Sequence, residues 1–300
     1  MSSPNYETQR GLRPDLAAIP VNLPESYIGY RVYPSVKVAQ TQGRAYYMTV
    51  TADSGAETDR SAGEAPSRTL LSSSSATWQA SEYIKRHGVE RHETKELGGI
   101  EASDRLGAMA SKRSVMRAIE AAHKTQLFTG TAEDISDDII NGLVAGAKSV
   151  KRYAGRLAFI CSHSVYRHII DQDAIKDRMD WSFSNANIAD ALSLNQNIFI
   201  QFLKGVFAFD EILIGDDDHW DDEGKAVVCK LPDPSEESHR LDPVLGKTMV
   251  YYPDGEQPYE VESFYDDDDK VNNYDATSWI DIEEFNDDAK YIVEGLSDDT

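Results

Sequence analysis

Cysteine and long apolar runs are scarce in this 300-residue sequence. The only two cysteines, Cys161 and Cys229, lie far apart among apolar neighbours, which predicts two reduced core thiols rather than a disulfide framework. The most apolar stretch, residues 198–214, is interrupted by four polar or charged residues, whereas a bilayer span requires about 20 apolar residues. We therefore expect a soluble protein with no membrane partner.

Positive charge is also in short supply. The chain has 30 Lys and Arg against 52 Asp and Glu, a formal net charge of −22, which disfavours sequence-independent binding to phosphate backbones. The acidity is uneven: residues 1–130 have 16 basic against 14 acidic side chains, and residues 131–300 have 14 against 38. This asymmetry predicts two surfaces, one of mixed charge and one strongly hydrated.

Signatures of catalysis and of cofactor binding are absent. No glycine-rich phosphate loop follows a predicted strand, and no Ser/His/Asp order is recognisable. His163 and His168 flank a short predicted helix near Cys161, but no third ligand has suitable spacing, so we expect core or surface histidines. We predict no catalytic residues, no cofactor and no enzymatic activity.

Acidic loops are the remaining candidates for metal binding. Asp216, Asp218 and Asp221 belong to an oxygen-rich run that could hold Ca²⁺ or Mg²⁺, but its spacing misses the calcium-loop pattern. A solvated loop is the favoured interpretation, with no metal. The run Asp266 to Asp269 followed by Lys270 is likewise interpreted as a hydrated β-turn.

The first third of the chain is predicted to be extended. Residues 1–30 contain four prolines among irregular apolar residues, which predicts an arm that lies on another surface. A β-pattern begins at Ser35, a polar stretch covers 53–75, and a second β-pattern covers 77–89. We expect a long two-stranded excursion with a flexible tip, unable to bury much surface by itself.

A long helix and a compact α/β unit follow. Apolar residues recur at helical spacing over 101–128, with Lys112, Arg113, Arg117, Glu120 and Lys124 assigned to the exposed faces. The further predicted elements are a helix capped by Asp134 or Ser136, a strand at 157–161, a helix at 164–170, a helix at 186–203, a strand at 209–214, acidic loops at 216–224 and 231–246, and β-segments at 249–252, 259–265 and 271–282.

This order of segments resembles the major capsid proteins of tailed double-stranded DNA viruses, which have the Hong Kong 97 fold. Four strings are similar to those of that family: AAHKTQLFTG at 121–130, LAFICSHSVYRHII at 157–170, FDEILIG at 209–215 and the segment from YDDDDK to VEGL at 265–296. The resemblance implies an α+β fold with an N-terminal arm (1–34), an extended β-hairpin loop (35–92), a peripheral domain with a spine helix (93–131 and 247–300) and an axial α/β domain (132–246).

The resemblance also implies partners and interface residues. The expected partners are further copies of the chain in homo-pentamers and homo-hexamers, scaffold or portal proteins, a decoration protein, and packaged DNA bound without sequence specificity, in a virion shell assembled in the host cytoplasm. Candidate assembly-interface residues are Leu12, Leu16, Ile19, Tyr27, Tyr46, Tyr47, Arg60, Arg68, Trp78, Arg113 and Arg117. Some relatives crosslink a loop lysine to a neighbour, but no lysine lies between Lys37 and Lys85, so we expect non-covalent contacts.

Two alternative functions remain open. An encapsulin-like nanocompartment would keep the fold and enclose a cargo enzyme, and an acidic metal-dependent hydrolase would use the acidic run at 216–223. The composition, with 31 Asp, 21 Glu and 14 Lys, also resembles that of proteins from high-salt environments. For a halophilic host, we expect the shells to dissociate when the salt is diluted.

Overall fold

A computed structural model describes residues 11–21, 27–49, 72–90, 93, 96, 99–173, 175, 196–235, 237–253 and 256–296. It confirms the predicted α+β class. Its helices are α1 Pro14–Ala17, α2 Gly29–Val32, α3 Ile100–Leu127, α4 Ile139–Ser149, α5 His163–Asp171, α6 Gln196–Phe207, α7 Asp217–Trp220 and α8 Ser238–Leu241. Its strands are β1 Gly11–Leu12, β2 Ser35–Val38, β3 Gln42–Thr49, β4 Ser72–Gln79, β5 Ser81–Glu90, β6 Ala132–Asp134, β7 Arg156–Ser162, β8 Glu211–Gly215, β9 Ala226–Leu231, β10 Gly246–Tyr251, β11 Glu260–Asp266, β12 Val271–Glu284 and β13 Lys290–Glu294.

A five-stranded sheet forms the α/β unit. Its strand order is β6-β13-β9-β7-β8, with parallel pairs at both edges and antiparallel pairs at the centre. The predicted strand at 157–161 is confirmed as β7, and six of its seven residues are buried. One face of the sheet packs with α4, α5 and α6 into an apolar core that includes Leu143, Phe159 and Leu203. The other face forms a second core toward the end of α3, around Trp220.

A six-stranded sheet lies alongside the long helix. Strand β12 pairs with β11 through residues 271–277, with β10 through residues 279–284 and with β5 through residues 271–280. A strand has two edges, so β11 and β10 share one edge and β5 occupies the other. Strands β1 and β2 extend the sheet from β11 and β10. Helix α3 packs on this sheet through a core that contains Val115, Ile119 and Ile280.

The arm departs from its prediction. Two short helices, α1 and α2, interrupt it, and Leu16, Ile28 and Val32 are buried in cores of their own chain. These three residues are therefore not available for contacts with other copies, whereas Leu12 of the arm is exposed. The reason is that α1 and α2 bring these residues onto α3 and the sheets, where burying apolar surface contributes about 25 cal/mol per Å².

The extended loop is also shorter than predicted. Strands β3 and β4 pair with each other from Gln42 to Thr49 and from Ser72 to Gln79. Strand β5, predicted as part of the same excursion, instead pairs over ten residues with β12, and β2 pairs with β10. Among the described strands, β3 and β4 alone therefore stand outside the two large sheets. Most of the polar stretch at 53–75 lies outside the described residues.

Several boundaries differ from the sequence-based assignment. The N-cap of α4 is Asp138, whose carboxylate accepts a hydrogen bond from the amide of Asn141, rather than Asp134 or Ser136. Strands β6, β9 and β13 were not predicted. Strand β13 pairs with β6 and β9, so residues 290–294 belong to the five-stranded sheet and not to the predicted peripheral segment 247–300. Residues 186–195 of the helix predicted at 186–203 lie outside the described residues. The rest of that prediction corresponds to α6, which extends to Phe207.

The two cysteines are confirmed as free, buried thiols. They lie on adjacent strands but contribute to cores on opposite faces of the five-stranded sheet, so they cannot approach each other. Burial raises the pKa of the Cys161 thiol, and it raises that of Cys229 to about 12. Within the described residues, no helix is both long enough and apolar enough to cross a membrane.

Candidate assembly surface

Helix α3 is the platform on which the other candidate interface elements are held. Its 28 residues correspond to about 42 Å at 1.5 Å per residue. Its buried face contains small residues that let the sheet approach closely: a Cβ at Gly107 would lie 2.1 Å from the Tyr274 ring. The hydroxyl of Tyr274 donates a hydrogen bond to Asp104, which fixes the start of the helix on β12.

Lys112 holds the arm against α3. Its ammonium group is buried and donates hydrogen bonds to the carbonyl oxygens of Leu16, Ala17 and Ile19 at 2.7, 2.6 and 2.9 Å. These carbonyls lie at the end of α1, where a helix leaves acceptors unsatisfied and favours a cation. Burial lowers the pKa of Lys112 to about 8. The side chain therefore ties the arm to the helix, and the prediction that it lies on an exposed face is wrong.

Glu120 joins three parts of the chain. It is also buried, so the prediction that it lies on an exposed face is wrong. One carboxylate oxygen accepts hydrogen bonds from the amides of Ile28 and Gly29 at 2.6 and 3.0 Å, and from the Trp220 indole at 2.8 Å. Burial raises the pKa of Glu120, and the three N–H donors act in the opposite direction. The arm, the long helix and the five-stranded sheet unit thus meet at one carboxylate.

His123 is a third buried polar side chain of α3. The Thr248 hydroxyl donates to the carbonyl of Tyr33, so its oxygen accepts from Nε2–H of His123 at 2.8 Å. Burial lowers the pKa of His123 to about 3, so the ring is neutral at physiological pH. A Cβ at Gly29 would lie 2.4 Å from Nδ1, which explains why the arm has a glycine where it crosses the helix.

Sequence reasoning missed Lys112 and Glu120 because it treated charge as a marker of exposure. A signal was available: Lys112 follows the buried Ala108 by four residues and precedes Val115 by three, and Glu120 precedes the buried His123 by three residues and Leu127 by seven. A residue at these intervals shares the buried face of a helix. A charged side chain in that position predicts a buried polar contact.

The described part of the β3–β4 hairpin is fixed to the body of its own chain. Trp78 is 7% exposed and packs against Gly43 in a cluster with Phe285. The ring of Tyr47 stacks on Phe285 with centroids 4.9 Å apart. The Asn286 amide donates to the carbonyls of Met48 and Val244 at 3.2 and 2.8 Å. The described strands of the hairpin are therefore held against the body of their own chain.

The predicted interface residues differ in how exposed their side chains are. Leu16, at 3% exposure, and Trp78 are buried in their own chain, which corrects their assignment to contacts with other copies. Ile19 and Tyr47 are partly buried against their own cores. The side chains of Leu12, Tyr46, Arg113 and Arg117 are exposed and Tyr27 is half-buried, so these remain predictions, whereas Arg60 and Arg68 lie outside the described residues.

The acidic residues after β8 make hydrogen bonds within their own chain. The Asp216 carboxylate caps α7 by accepting from the amide of His219 at 2.9 Å. The Asp221 carboxylate accepts from the hydroxyls of Ser162 and Ser164 at 3.4 and 3.3 Å, and Asp218 is exposed. Across the described part of the chain, His, Cys, Asp and Glu form no group of three that could hold a metal ion.

The comparisons identify the fold. No protein-family model and no curated protein sequence matches the chain. A crystal structure of a phage-related protein from Bordetella bronchiseptica RB50 matches it with a TM-score of 0.68 at 15% identity, covering 96% of this chain and 98% of that one. The chain has the Hong Kong 97 capsid fold.

Two further structures with this fold are a virus capsid and an encapsulin. The capsid structure of cyanophage P-SCSP1u matches with a TM-score of 0.54 at 7% identity, covering 92% of this chain and 90% of that one. The SrpI encapsulin of Synechococcus elongatus PCC 7942 matches with a TM-score of 0.54 at 10% identity, covering 94% and 92%. The predicted fold is therefore confirmed.

Proposed function

We propose that this chain is a major capsid protein of a tailed double-stranded DNA virus. Its copies would assemble into pentamers and hexamers of an icosahedral shell that encloses packaged DNA. The observation that carries this proposal is the match to a phage-related protein over nearly the full length of both chains. The β3–β4 hairpin supports it, because it presents the exposed Tyr46 and a two-stranded element gains stability by packing on a further surface, here that of another copy.

The proposal assigns a task to each part of the chain. The arm, residues 1–34, and the hairpin would contact neighbouring copies through exposed residues such as Leu12 and Tyr46, each 59% exposed. Heterologous contacts of this kind close into rings, and many weak contacts add up through multivalency. The shell would have no enzymatic role, and scaffold, portal and decoration proteins would be further partners in the host cytoplasm.

Sizing the purified protein by light scattering tests the proposal. We expect masses of five or six chains and megadalton particles, whose shells negative-stain images should show. A chain that stays a folded monomer at high concentration contradicts the proposal. A metal-dependent hydrolytic activity of such a monomer would favour the acidic hydrolase instead.

The encapsulin match supports a second candidate, a nanocompartment shell. Both candidates predict closed shells, so the discriminating measurement is imaging of particles from the native source. Tailed particles containing DNA support the capsid function. Smaller tailless shells that hold an enzyme support the nanocompartment.

A further inference from the structure

The exposed face of α3 has a row of arginines in a strongly acidic protein. Arg105, Arg113 and Arg117 are exposed and separated by eight and four residues, which places them on one side of the helix, about 12 and 6 Å apart along its axis. We call these three residues the arginine row. It is a positive surface on a chain of net charge −22.

Carboxylates of the same chain flank both ends of the arginine row. Arg105 pairs with Glu101 at 2.8 Å. Arg117 donates to the Tyr27 hydroxyl at 3.4 Å, and Asp216 and Asp218 lie close enough to act on its charge. Among the described residues, no carboxylate lies within 4 Å of Arg113. A positive row about 18 Å long and bordered by negative charge suits a short cluster of carboxylates better than an extended polyphosphate, whose further phosphates the flanking carboxylates would repel.

The same chain has an exposed cluster of negative charge. Asp267, Asp268 and Asp269 form the turn between β11 and β12 and are exposed. The Asp266 carboxylate accepts hydrogen bonds from the amides of Asp268 and Asp269 at 3.1 and 3.4 Å, so the turn is held in one conformation. Within the described part of the chain, these three carboxylates have no cationic side chain within 4 Å. We call them the aspartate turn.

The two surfaces cannot meet within one subunit. Helix α3 and strand β12 run side by side: Tyr274 contacts Gly107 near the start of the helix. The aspartate turn lies about 20 Å before Tyr274 along the strand, at 3.3 Å per residue. Arg117 lies about 15 Å beyond Gly107 in the opposite direction. Any contact between them joins two copies.

We propose that the arginine row of one subunit docks the aspartate turn of a second copy. The contact is heterologous, since the two surfaces differ, and it brings opposite charges together between subunits that otherwise repel. The inference rests on the proposed self-assembly and adds the surfaces that recognise each other.

Charge reversal tests the contact. We expect R113E/R117E to reduce the fraction of assembled protein at least tenfold in light scattering, with an unchanged circular dichroism spectrum. The control R167E/R240E makes the same change in net charge at exposed arginines on α5 and α8 and should assemble normally. Adding D267R/D268R to R113E/R117E should restore assembly. If R113E/R117E assembles like the control, the inference is wrong while the proposed function stands.

Disulfide trapping gives a second measurement that does not depend on the effect of charge on folding. We expect R117C/D268C to form oxidised multimers on a non-reducing denaturing gel, and each single variant to form none, because the native cysteines are buried. A failure of the double variant to crosslink in assembled particles contradicts the contact. If wild-type shells form and R113E/R117E loses only DNA retention, the row faces nucleic acid and the inference is overturned. A wild-type chain that never assembles overturns the inference together with the proposed function.

Discussion

Glu120 is the residue at which the arm, the long helix and the Trp220 side chain meet. We expect Glu120→Gln to keep the fold, because an amide oxygen can accept the same three hydrogen bonds. Glu120→Ala leaves three buried donors without an acceptor and should cost about 3 kcal/mol of unfolding free energy. Chemical denaturation of both variants measures this difference. Equal stability of the two would contradict the role of the carboxylate oxygen.

The pKa of Glu120 makes a separate prediction about pH. The pKa is raised in the folded state above the ordinary value of 4.5, so the folded state binds the proton more tightly than the unfolded chain. The stabilisation of the folded state that results from this raised pKa is complete below pH 4.5. It is lost as the pH rises through the folded-state pKa of Glu120. The stability of the wild type should therefore decrease relative to that of Glu120→Gln as the pH rises above 4.5. Parallel denaturation series from pH 4 to 8 test the sign.

Lys112 attaches the arm to the body of its own chain. Lys112→Met keeps the length of the side chain but removes three hydrogen bonds to arm carbonyls. We expect a loss of about 3 kcal/mol and faster limited proteolysis within the arm. The control Arg113→Gln changes the adjacent, exposed residue. It should leave the unfolding free energy and the rate of proteolysis unchanged in the unassembled protein. Protection of the arm in Lys112→Met would show that apolar packing alone holds it.

At the scale of elements, the hairpin is stabilised at its base. Trp78→Ala should cost about 3 kcal/mol by removing a buried aromatic side chain. Because the lost contacts lie between β3, β4 and the Phe285 cluster, the effect should be local. Hydrogen exchange should accelerate in Gln42–Thr49 and Ser72–Gln79 and stay unchanged in β7. Uniformly faster exchange would show that the hairpin and the body unfold together.

The elements that the sequence predicted are those with local signals. Helix α3 has a long apolar period, and β7 is a continuous apolar run bordered by glycine and serine. Strand β4 is different: it contains four consecutive serines, which have no strong strand preference, and it is a strand because β3 pairs with it. Strand β13 depends on partners more than 50 residues away. Such non-local pairing, like the partners of Lys112, has no signature in a sequence window.

At the scale of the whole molecule, the absence of lysine between residues 37 and 85 predicts how the proposed shell is held together. Assembled particles boiled in detergent should run on a denaturing gel as single chains, because non-covalent contacts do not survive this treatment. A ladder of multimers would contradict this prediction and would require a covalent link from another residue. Intact-mass measurement of the dissociated chain provides an independent check.

The position of β13 between β6 and β9 has a consequence for how the protein is made. Strands β6 and β13 are neighbours in the sheet, yet more than 150 residues separate them along the chain. The ribosome must therefore release residue 294 before the five-stranded sheet can close. The five-stranded unit therefore stays incomplete throughout the synthesis of residues 135–289, while β6 waits for its partner strand.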